Sequence, residues 1–335
     1  MFCCLAGKDK WNISFRFRYY VSGDYVYNAI KSGNWYPLYD PAWYNGVEIL
    51  RYWSPFPAYV MAFCQYLAGG SQFGAYLFYI GGVCFLGACV WPFIGRGFNR
   101  PYLGAFIGLL WFFMPNNLCA IFIEGNLARS LSMIFLPVFI YSVYKYLYNH
   151  KLRYIPLMVF TFLLMELCHL GYAGMVAIAV IIYGIVYIIQ KGRKKAVLDV
   201  VISMIFGFML LGIWLVASLR GGITSLDNSE NMANFFQNLW ITINPFERLT
   251  RGFEYFYFGF ATLVVIVFGI LFGYKKSRTG FVTGFIILLM TTKSAYAVLK
   301  HLPGSQYLWM LRFISIALCM ILMSFLMWDR LKKTL

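Results

Sequence analysis

The sequence predicts an all-α integral membrane protein that crosses the bilayer several times. Hydrophobic residues make up 61% of its 335 residues, whereas charged residues make up only 12%. A soluble domain typically has about 45–50% apolar and about 25% charged residues. Apolar runs that can cross the hydrocarbon core also recur along the whole chain. These observations favour one membrane-embedded helical body over two soluble domains.

Nine apolar runs are candidate membrane spans, because a crossing helix needs about 20 mostly apolar residues. A tenth run, Pro55–Ala68, is shorter, and we predict that it forms an interfacial or re-entrant helix. The nine predicted spans are Phe73–Ile94, Pro101–Pro115, Leu127–Leu147, Tyr154–Cys168, Gly171–Ile189, Ala196–Leu219, Tyr255–Tyr274, Gly280–Thr292 and Leu308–Trp328.

The positions of Lys and Arg predict the orientation, since short cytoplasmic loops are enriched in both. Alternate loops hold 15 of the 28 basic and two of the 12 acidic residues, a net charge of +13. The other segments hold 13 basic and 10 acidic residues, a net charge of +3. We therefore predict that the basic loops are cytoplasmic. The chain divides into an outer segment with interfacial helices, 1–72, and a helical body, 73–335, with an outer loop at 220–254.

The charge and cysteine patterns exclude two classes of function. The formal net charge of +16 is divided among short clusters between apolar runs, so it does not form the continuous basic stripe of a nucleic-acid-binding protein. None of the eight cysteines has CxxC spacing, and most lie in or beside apolar runs. We interpret them as small helix-packing residues rather than as metal or redox ligands.

Ionisable residues in membrane spans mark functional sites by default. The centres of the predicted spans almost lack them, whereas Arg129, Glu166, His169 and Arg312 fall near predicted outer ends. This placement disfavours an ion-coupled transporter, whose site would lie near the middle of the membrane. It predicts instead a site at the outer interface.

The outer segment between residues 22 and 62 is rich in aromatic residues and carboxylates. One interpretation is an aromatic belt at the level of the lipid headgroups. The alternative is a sugar site, in which Trp35, Trp43 and Tyr52 pack against a pyranose ring and a carboxylate acts as a base. Asp24 is the candidate base. It could equally cap the N-terminus of a helix, which Asp does well.

Motifs in this segment resemble the first outer loop of the GT-C superfamily of membrane glycosyltransferases. Within that superfamily the sequence is most similar to the bacterial membrane family named for a 6-pyruvoyl-tetrahydropterin-synthase-related domain. The motifs are Gly23-Asp24, Lys31-Ser32-Gly33-Asn34-Trp35, Pro37, Pro41-Ala42-Trp43, Asn45-Gly46 and Tyr52-Trp53-Ser54-Pro55. Later stretches that match are Glu124-Gly125-Asn126-Leu127-Ala128-Arg129, Cys168-His169-Leu170, Trp309 and Arg312-Phe313.

The resemblance implies transfer of a sugar from a polyprenyl-phosphate donor to an acceptor outside the cytoplasm, in the bacterial cell membrane. It implies that Asp24 is the catalytic carboxylate. The sequence departs from the family pattern in two respects. The histidine expected before Asp24 is absent, and no apolar helix precedes the outer loop. We therefore expect the family's first helix to be encoded upstream of Met1.

Cationic and acidic residues supply the other predicted ligands. Arg251 and Arg312 are candidates for the donor phosphate, because a guanidinium donates two parallel hydrogen bonds to it. Glu124 and Arg129 either line the same site or form a helix-start pair with a snorkelling arginine.

A metal site and a non-enzymatic role are the remaining alternatives. Glu166 and His169 would share a helix face at a spacing of three and could ligate a divalent metal. A histidine at a helix end that bonds Glu166 or a carbonyl is the simpler interpretation. The rival to an enzyme is a non-catalytic transport, flippase or scaffold protein for lipid-linked glycans.

Overall fold

A computed structural model describes residues 10–41, 46–52, 54–220, 260–273, 275–301 and 310–328. Within these ranges the chain is helical, apart from turns and one isolated β-bridge between Asp40 and Val47. The helices are α1 (Lys10–Lys31), α2 (Ile49–Tyr52), α3 (Phe56–Leu67), α4 (Gln72–Gly97), α5 (Pro101–Phe112), α6 (Pro115–Leu118), a π-helical turn (Cys119–Ile123), α7 (Leu127–Asn149), α8 (Tyr154–Lys191), α9 (Lys194–Leu210), α10 (Gly212–Arg220), α11 (Phe260–Phe272), α12 (Lys275–Met290), α13 (Lys293–Leu299) and α14 (Leu311–Leu326).

Three helices, α4, α7 and α8, are long and apolar enough to cross a membrane. The number rises to five if each of two bent pairs is one broken span. One pair joins α5 to the α6 region with a bend of 56°, and the other joins α9 to α10 with a bend of 60°. The described residues therefore support an all-helical membrane protein with three to five candidate spans. The predicted count of nine is not confirmed.

The differences from the predicted spans have local causes. The run predicted as Pro101–Pro115 stops at Phe112, and Pro115 opens a new helix at an angle to the first. The run predicted as Ala196–Leu219 bends between α9 and α10. The last two differences concern coverage, because Tyr255–Tyr274 and Leu308–Trp328 begin outside the described residues.

Helix α8 folds back on itself. His169 has φ −157° and ψ 93°, outside the helical region, so the 38-residue element is kinked there. The ring of its first residue, Tyr154, lies 6.0 Å from the ring of Tyr141 on α7, measured between centroids. Near its other end, the Tyr187 hydroxyl donates a 2.6 Å hydrogen bond to the carbonyl of Leu147, also on α7. Both ends of α8 therefore lie beside the C-terminal part of α7.

The reversal at His169 separates the two runs predicted as Tyr154–Cys168 and Gly171–Ile189. Both halves pack along α7, as shown by ring contacts of 5.3 Å between Phe139 and Phe162 and 4.8 Å between Tyr144 and Tyr183. Geometrically, α8 is a helical hairpin whose tip is His169.

Basic residues gather at the end of the bundle where α7 finishes. Lys145 donates to the carbonyl of Gly97 at the end of α4. Tyr148 donates a 2.9 Å hydrogen bond to the carbonyl of Lys276 at the start of α12. Arg193, before α9, contacts the histidine that follows α7. We call this the basic end. The opposite end, where α7 begins and α8 reverses, contains Glu124 and Glu166, and we call it the acidic end. That the basic end faces the cytoplasm stays a prediction.

The outer segment packs against the bundle through α3. Helices α1 and α3 approach closely at Gly23, where an added Cβ would lie 2.4 Å from Cγ of Met61. Met61 and Cys64 belong to a buried apolar cluster that includes Leu127, the first residue of α7, and Cys168 at the tip of α8. Helices α1 and α3 of the segment predicted as an outer loop therefore lie at the acidic end.

The hairpin form of α8 predicts a short distance between its ends. Spin labels at the exposed positions Lys151 and Lys191, in a variant whose native cysteines are replaced, should lie within about 30 Å, because neighbouring helices pack about 8–10 Å apart. A straight helix would separate them by about 60 Å at 1.5 Å per residue. Double electron–electron resonance measures the distance between the two labels. Labels at Phe73 and Phe93 on α4 are the control and should give about 30 Å. A distance near 60 Å for the first pair would contradict the hairpin.

Candidate active site

Arg129 lies in the first turn of α7, inside the acidic end. The side chain of Asn126 caps this helix by accepting a 3.1 Å hydrogen bond from the backbone N–H of Arg129. The Arg129 side chain is 0% exposed. Its Nη1 donates to Oε1 of Glu124 at 2.9 Å, and its Nη2 donates to Oδ1 of Asn116 at 2.6 Å. A buried guanidinium requires such partners, because an unpaired charge in a low-dielectric interior is strongly destabilising.

These contacts join α6, the π-helical turn and α7 through one side chain. The ring of Tyr172, just beyond the tip of α8, lies 6.0 Å from the Arg129 guanidinium carbon and adds a cation–π contact. The fully buried Arg129 and the half-buried Glu124 therefore form an ion pair that fixes the acidic end. The substrate-binding role predicted for both residues stays a prediction, and their contacts favour a structural role.

His169 is held at the tip of the hairpin by two contacts. Its Nδ1 lies 3.2 Å from the backbone N–H of Tyr172, which begins the second half of α8. Its Nε2 lies 3.0 Å from Nη1 of Arg312. The prediction that Glu166 and His169 share a helix face is wrong, because the backbone of His169 is not helical.

Arg312 is the second buried arginine of the acidic end, with 8% of its surface exposed at the start of α14. One turn further along, the Ser315 hydroxyl donates to the Arg312 carbonyl at 2.9 Å. The same hydroxyl lies 2.9 Å from the hydroxyl of Tyr172. Hydrogen bonds thus tie α14 to the tip of α8, and the arginine predicted for a donor phosphate lies against His169.

Glu166 is buried one turn before the tip. Its Oε2 has no hydrogen-bond partner among the described residues, and its backbone carbonyl accepts a 3.3 Å hydrogen bond from Ser54, just before α3. In the described part of the chain, no group of three or more His, Cys, Asp or Glu side chains is placed to hold a metal ion. The weak metal assignment to Glu166 and His169 therefore gains no third ligand there.

Asp24 lies within α1 (Lys10–Lys31), about four turns after its start and about two turns before its end. It is therefore not an N-cap, and the helix-cap alternative is wrong. Its Oδ1 accepts a 2.7 Å hydrogen bond from the side-chain amide of Gln65 on α3. Gln65 is buried and donates also to the carbonyl of Gly70. The amide thus fixes one carboxylate oxygen of a partly exposed aspartate.

Among the described residues, no hydrogen bond or ion pair joins Asp24 to Arg129 or Arg312. The two parts of the site are connected through α3, whose Cys64 side chain packs into the cluster that contains Cys168. They therefore occupy one end of the bundle without direct contact.

The aromatic candidates are only partly described. The Trp35 side chain is 71% exposed, and its carbonyl accepts a 2.7 Å hydrogen bond from the Tyr59 hydroxyl. Exposure leaves its indole face available to a ligand. Tyr52 is the last residue of α2. Trp43 and Arg251 lie outside the described residues, so their predicted roles stay predictions.

Three residues of the network were not predicted from the sequence: Gln65, Asn116 and Tyr172. Two amides in otherwise apolar surroundings were a usable signal, since a polar side chain at membrane depth needs a partner. Asn116 is followed by Asn117, whose Nδ2 donates to the carbonyl of Trp111 at 2.6 Å. Nothing in the sequence distinguishes Tyr172 from the other tyrosines, of which the chain has 26 in all.

Long apolar helices that expose large apolar side chains define a polytopic helical membrane protein. The exposed apolar side chains of α4 include Phe73, Phe85 and Phe93. The sequence model of one family, described as "6-pyruvoyl-tetrahydropterin synthase related domain; membrane protein", matches residues 50–335. The chain belongs to this family. No curated protein and no solved structure matches it.

The buried pair predicts that Arg129 is important for stability. Arg129→Leu leaves Glu124 and Asn116 without their donor, and loss of one partner of a buried pair costs about 3 kcal/mol or more. We expect a clear fall in the unfolding midpoint of the detergent-solubilised protein. Arg96→Gln, at an exposed position of α4, is the matched control and should change stability by less than about 0.5 kcal/mol. Equal midpoints for the two variants would refute the structural role of Arg129.

Proposed function

We propose that this protein is a membrane glycosyltransferase of the GT-C type, located in the bacterial cell membrane. It transfers a sugar from a polyprenyl-phosphate donor to an acceptor on the non-cytoplasmic face. The observation that carries the proposal is the setting of Asp24. One oxygen of this carboxylate is held by Gln65, and the side chain is partly exposed at the acidic end, where a substrate can reach its other oxygen.

Asp24 would act as the general base. The carboxylate takes the proton of the acceptor hydroxyl as that oxygen attacks the anomeric carbon of the sugar. A new bond forms between the acceptor oxygen and the anomeric carbon, and the bond from that carbon to the phosphate oxygen breaks. The bonding electrons leave with the polyprenyl phosphate. Attack from the face opposite the leaving group inverts the anomeric configuration.

The leaving phosphate requires a cation, and Arg312 supplies one. A guanidinium forms strong, charge-assisted hydrogen bonds with phosphate oxygens. Arg312 lies at the start of α14, and we expect its charge to lie at the level of the lipid headgroups. Arg251 would add a second cation from the outer loop. A polyprenyl chain would remain in the bilayer beside the exposed apolar helices.

The sugar would contact the aromatic side chains of the outer segment. The exposed indole of Trp35 offers an apolar face and, at its edge, one N–H donor. Trp43 and Tyr52 would complete this surface. A passive scaffold for lipid-linked glycans could share the aromatic surface and the arginine, but it would not need a carboxylate base. Asp24 therefore separates the enzyme from the non-catalytic alternative.

Asp24→Asn tests the proposal with little structural disturbance. The asparagine Oδ1 still accepts from Gln65, but the side chain loses the negative charge that takes the proton. Sugar transfer in proteoliposomes, from a polyprenyl-phosphate sugar to a hydroxyl acceptor, should fall about 10²–10⁴-fold. Folding, measured by the unfolding midpoint, should be close to that of the parent.

Glu48→Gln is the matched control for this experiment. Glu48 is another carboxylate of the outer segment, and it forms a surface ion pair with Arg51. Such pairs contribute only about 0–1 kcal/mol, and the control should transfer sugar at the parental rate. If Asp24→Asn also transfers at the parental rate, Asp24 is not the base. If the parent itself transfers no sugar, the non-catalytic alternative is favoured.

A further inference from the structure

Four positive charges meet at the basic end, where α7 finishes and where α8 and α12 begin. They are Lys145 near the end of α7, Lys151 and Arg153 in the turn before α8, and Lys276 at the start of α12. The charges of the other three repel that of Lys145. None of the four forms an ion pair with a described residue. Like charges held together in this way favour a bound anion.

Asp199 is the one acid that the described ranges place at this end of the bundle, in the first turns of α9. One oxygen of its carboxylate accepts a 2.6 Å hydrogen bond from the Tyr146 hydroxyl. A single carboxylate cannot balance four cations. The group therefore keeps a net positive charge.

Aromatic rings hold two of these cations in place. Nζ of Lys145 lies 4.1 Å from the centre of the Phe98 ring and 5.6 Å from that of Tyr141. The guanidinium carbon of Arg153 lies 5.1 Å from the centre of the Tyr154 ring, and its Nη2 donates a 3.1 Å hydrogen bond to the hydroxyl of that ring. The two tyrosine rings meet edge to face. One aromatic wall thus joins the two cations.

Both cations retain hydrogen-bond donors. An ammonium has three N–H donors, and Lys145 uses one of them on the carbonyl of Gly97. A guanidinium has five, and Arg153 uses one of them on Tyr154. Arg153 is exposed and Lys145 is half-buried. An anion can therefore reach donors of both side chains from outside the bundle.

We propose that Lys145 and Arg153 bind the phosphodiester of an anionic membrane phospholipid, whose acyl chains lie along the outside of the bundle. Leu152, the residue before Arg153, exposes 71% of its surface. A lipid would cover this apolar side chain, whereas a soluble anion would leave it in water. The predicted orientation would place the site in the cytoplasmic leaflet, whose anionic lipids attract basic segments. The inference does not rest on the proposed function and applies equally to the non-catalytic alternative.

The surrounding charges select between headgroups. Every phospholipid carries a phosphodiester, so Lys145 and Arg153 alone would not distinguish an anionic lipid from a zwitterionic one. Lys151 and Lys276 add positive charge beside them and would repel the trimethylammonium group of phosphatidylcholine. The uncharged glycerol of phosphatidylglycerol has no such cost. The group of cations therefore fits phosphatidylglycerol better than phosphatidylcholine.

The experiment is native mass spectrometry of the full chain in detergent, titrated with phosphatidylglycerol or phosphatidylcholine of identical acyl chains. The parent should bind phosphatidylglycerol more tightly. Lys145→Gln and Arg153→Gln should each weaken this binding about fivefold, the factor expected for one cation near an anionic lipid surface. Arg153→Lys keeps the charge and should bind nearly as well as the parent.

Lys195→Gln is the matched control, because it removes one charge from an exposed position of α9 at the same end. It should bind phosphatidylglycerol like the parent. Unfolding midpoints without added lipid show whether each variant is folded. If Lys145→Gln does not fold, the exposed Arg153 still provides the test.

Three results would overturn the proposal. Equal weakening by Lys195→Gln would show that binding follows the net charge of the whole basic end and has no site at Lys145 and Arg153. Equal affinity of the parent for the two lipids would contradict the selection of headgroups. Displacement of the lipid by glycerol phosphate at similar concentration would identify a soluble phosphate ligand instead. The absence of sugar transfer by the parent would contradict the proposed function and leave the lipid site unaffected.

Discussion

The neutralisation of Arg129 is the constraint on which the acidic end depends. This guanidinium lies inside a membrane protein and is fully buried, so its hydrogen bonds to Glu124 and Asn116 have to form as the helices pack. They fix the start of α7 against α6 and the π-helical turn. Tyr172, just beyond the tip of α8, then packs against Arg129. Helix α3 packs against the start of α7 through Met61, which shares a buried apolar cluster with Leu127.

The reversal of α8 determines where the His169 imidazole lies at the acidic end. In a continuous helix, His169 would lie on one helix face, and the backbone N–H groups around it would be hydrogen-bonded within the helix. The kink instead exposes the first N–H groups of a new half-helix and brings an imidazole to the start of α14. One buried arginine is then paired with a carboxylate, and the other faces a histidine.

The sequence predicted features that depend on local composition. The break between Cys168 and Gly171 and the positions of Arg129 and Arg312 near helix ends follow from the apolar runs. It did not predict that Gln65 holds Asp24, because the two residues are 41 positions apart and meet only when α1 packs on α3 at Gly23. The helix-cap and shared-face interpretations failed for a related reason, since each assumed a helix boundary that packing moved.

The central claim is that the acidic end binds a polyprenyl phosphate. Native mass spectrometry of the purified protein, extracted gently from a bacterial membrane, tests it most directly. The account predicts a retained lipid with the mass of a polyprenyl phosphate or its sugar conjugate, and its loss in Arg312→Ala but not in Arg96→Gln. Unfolding midpoints show whether each variant is folded. Retention of the same lipids by folded Arg312→Ala, or of bulk phospholipids alone by the parent, would contradict the account.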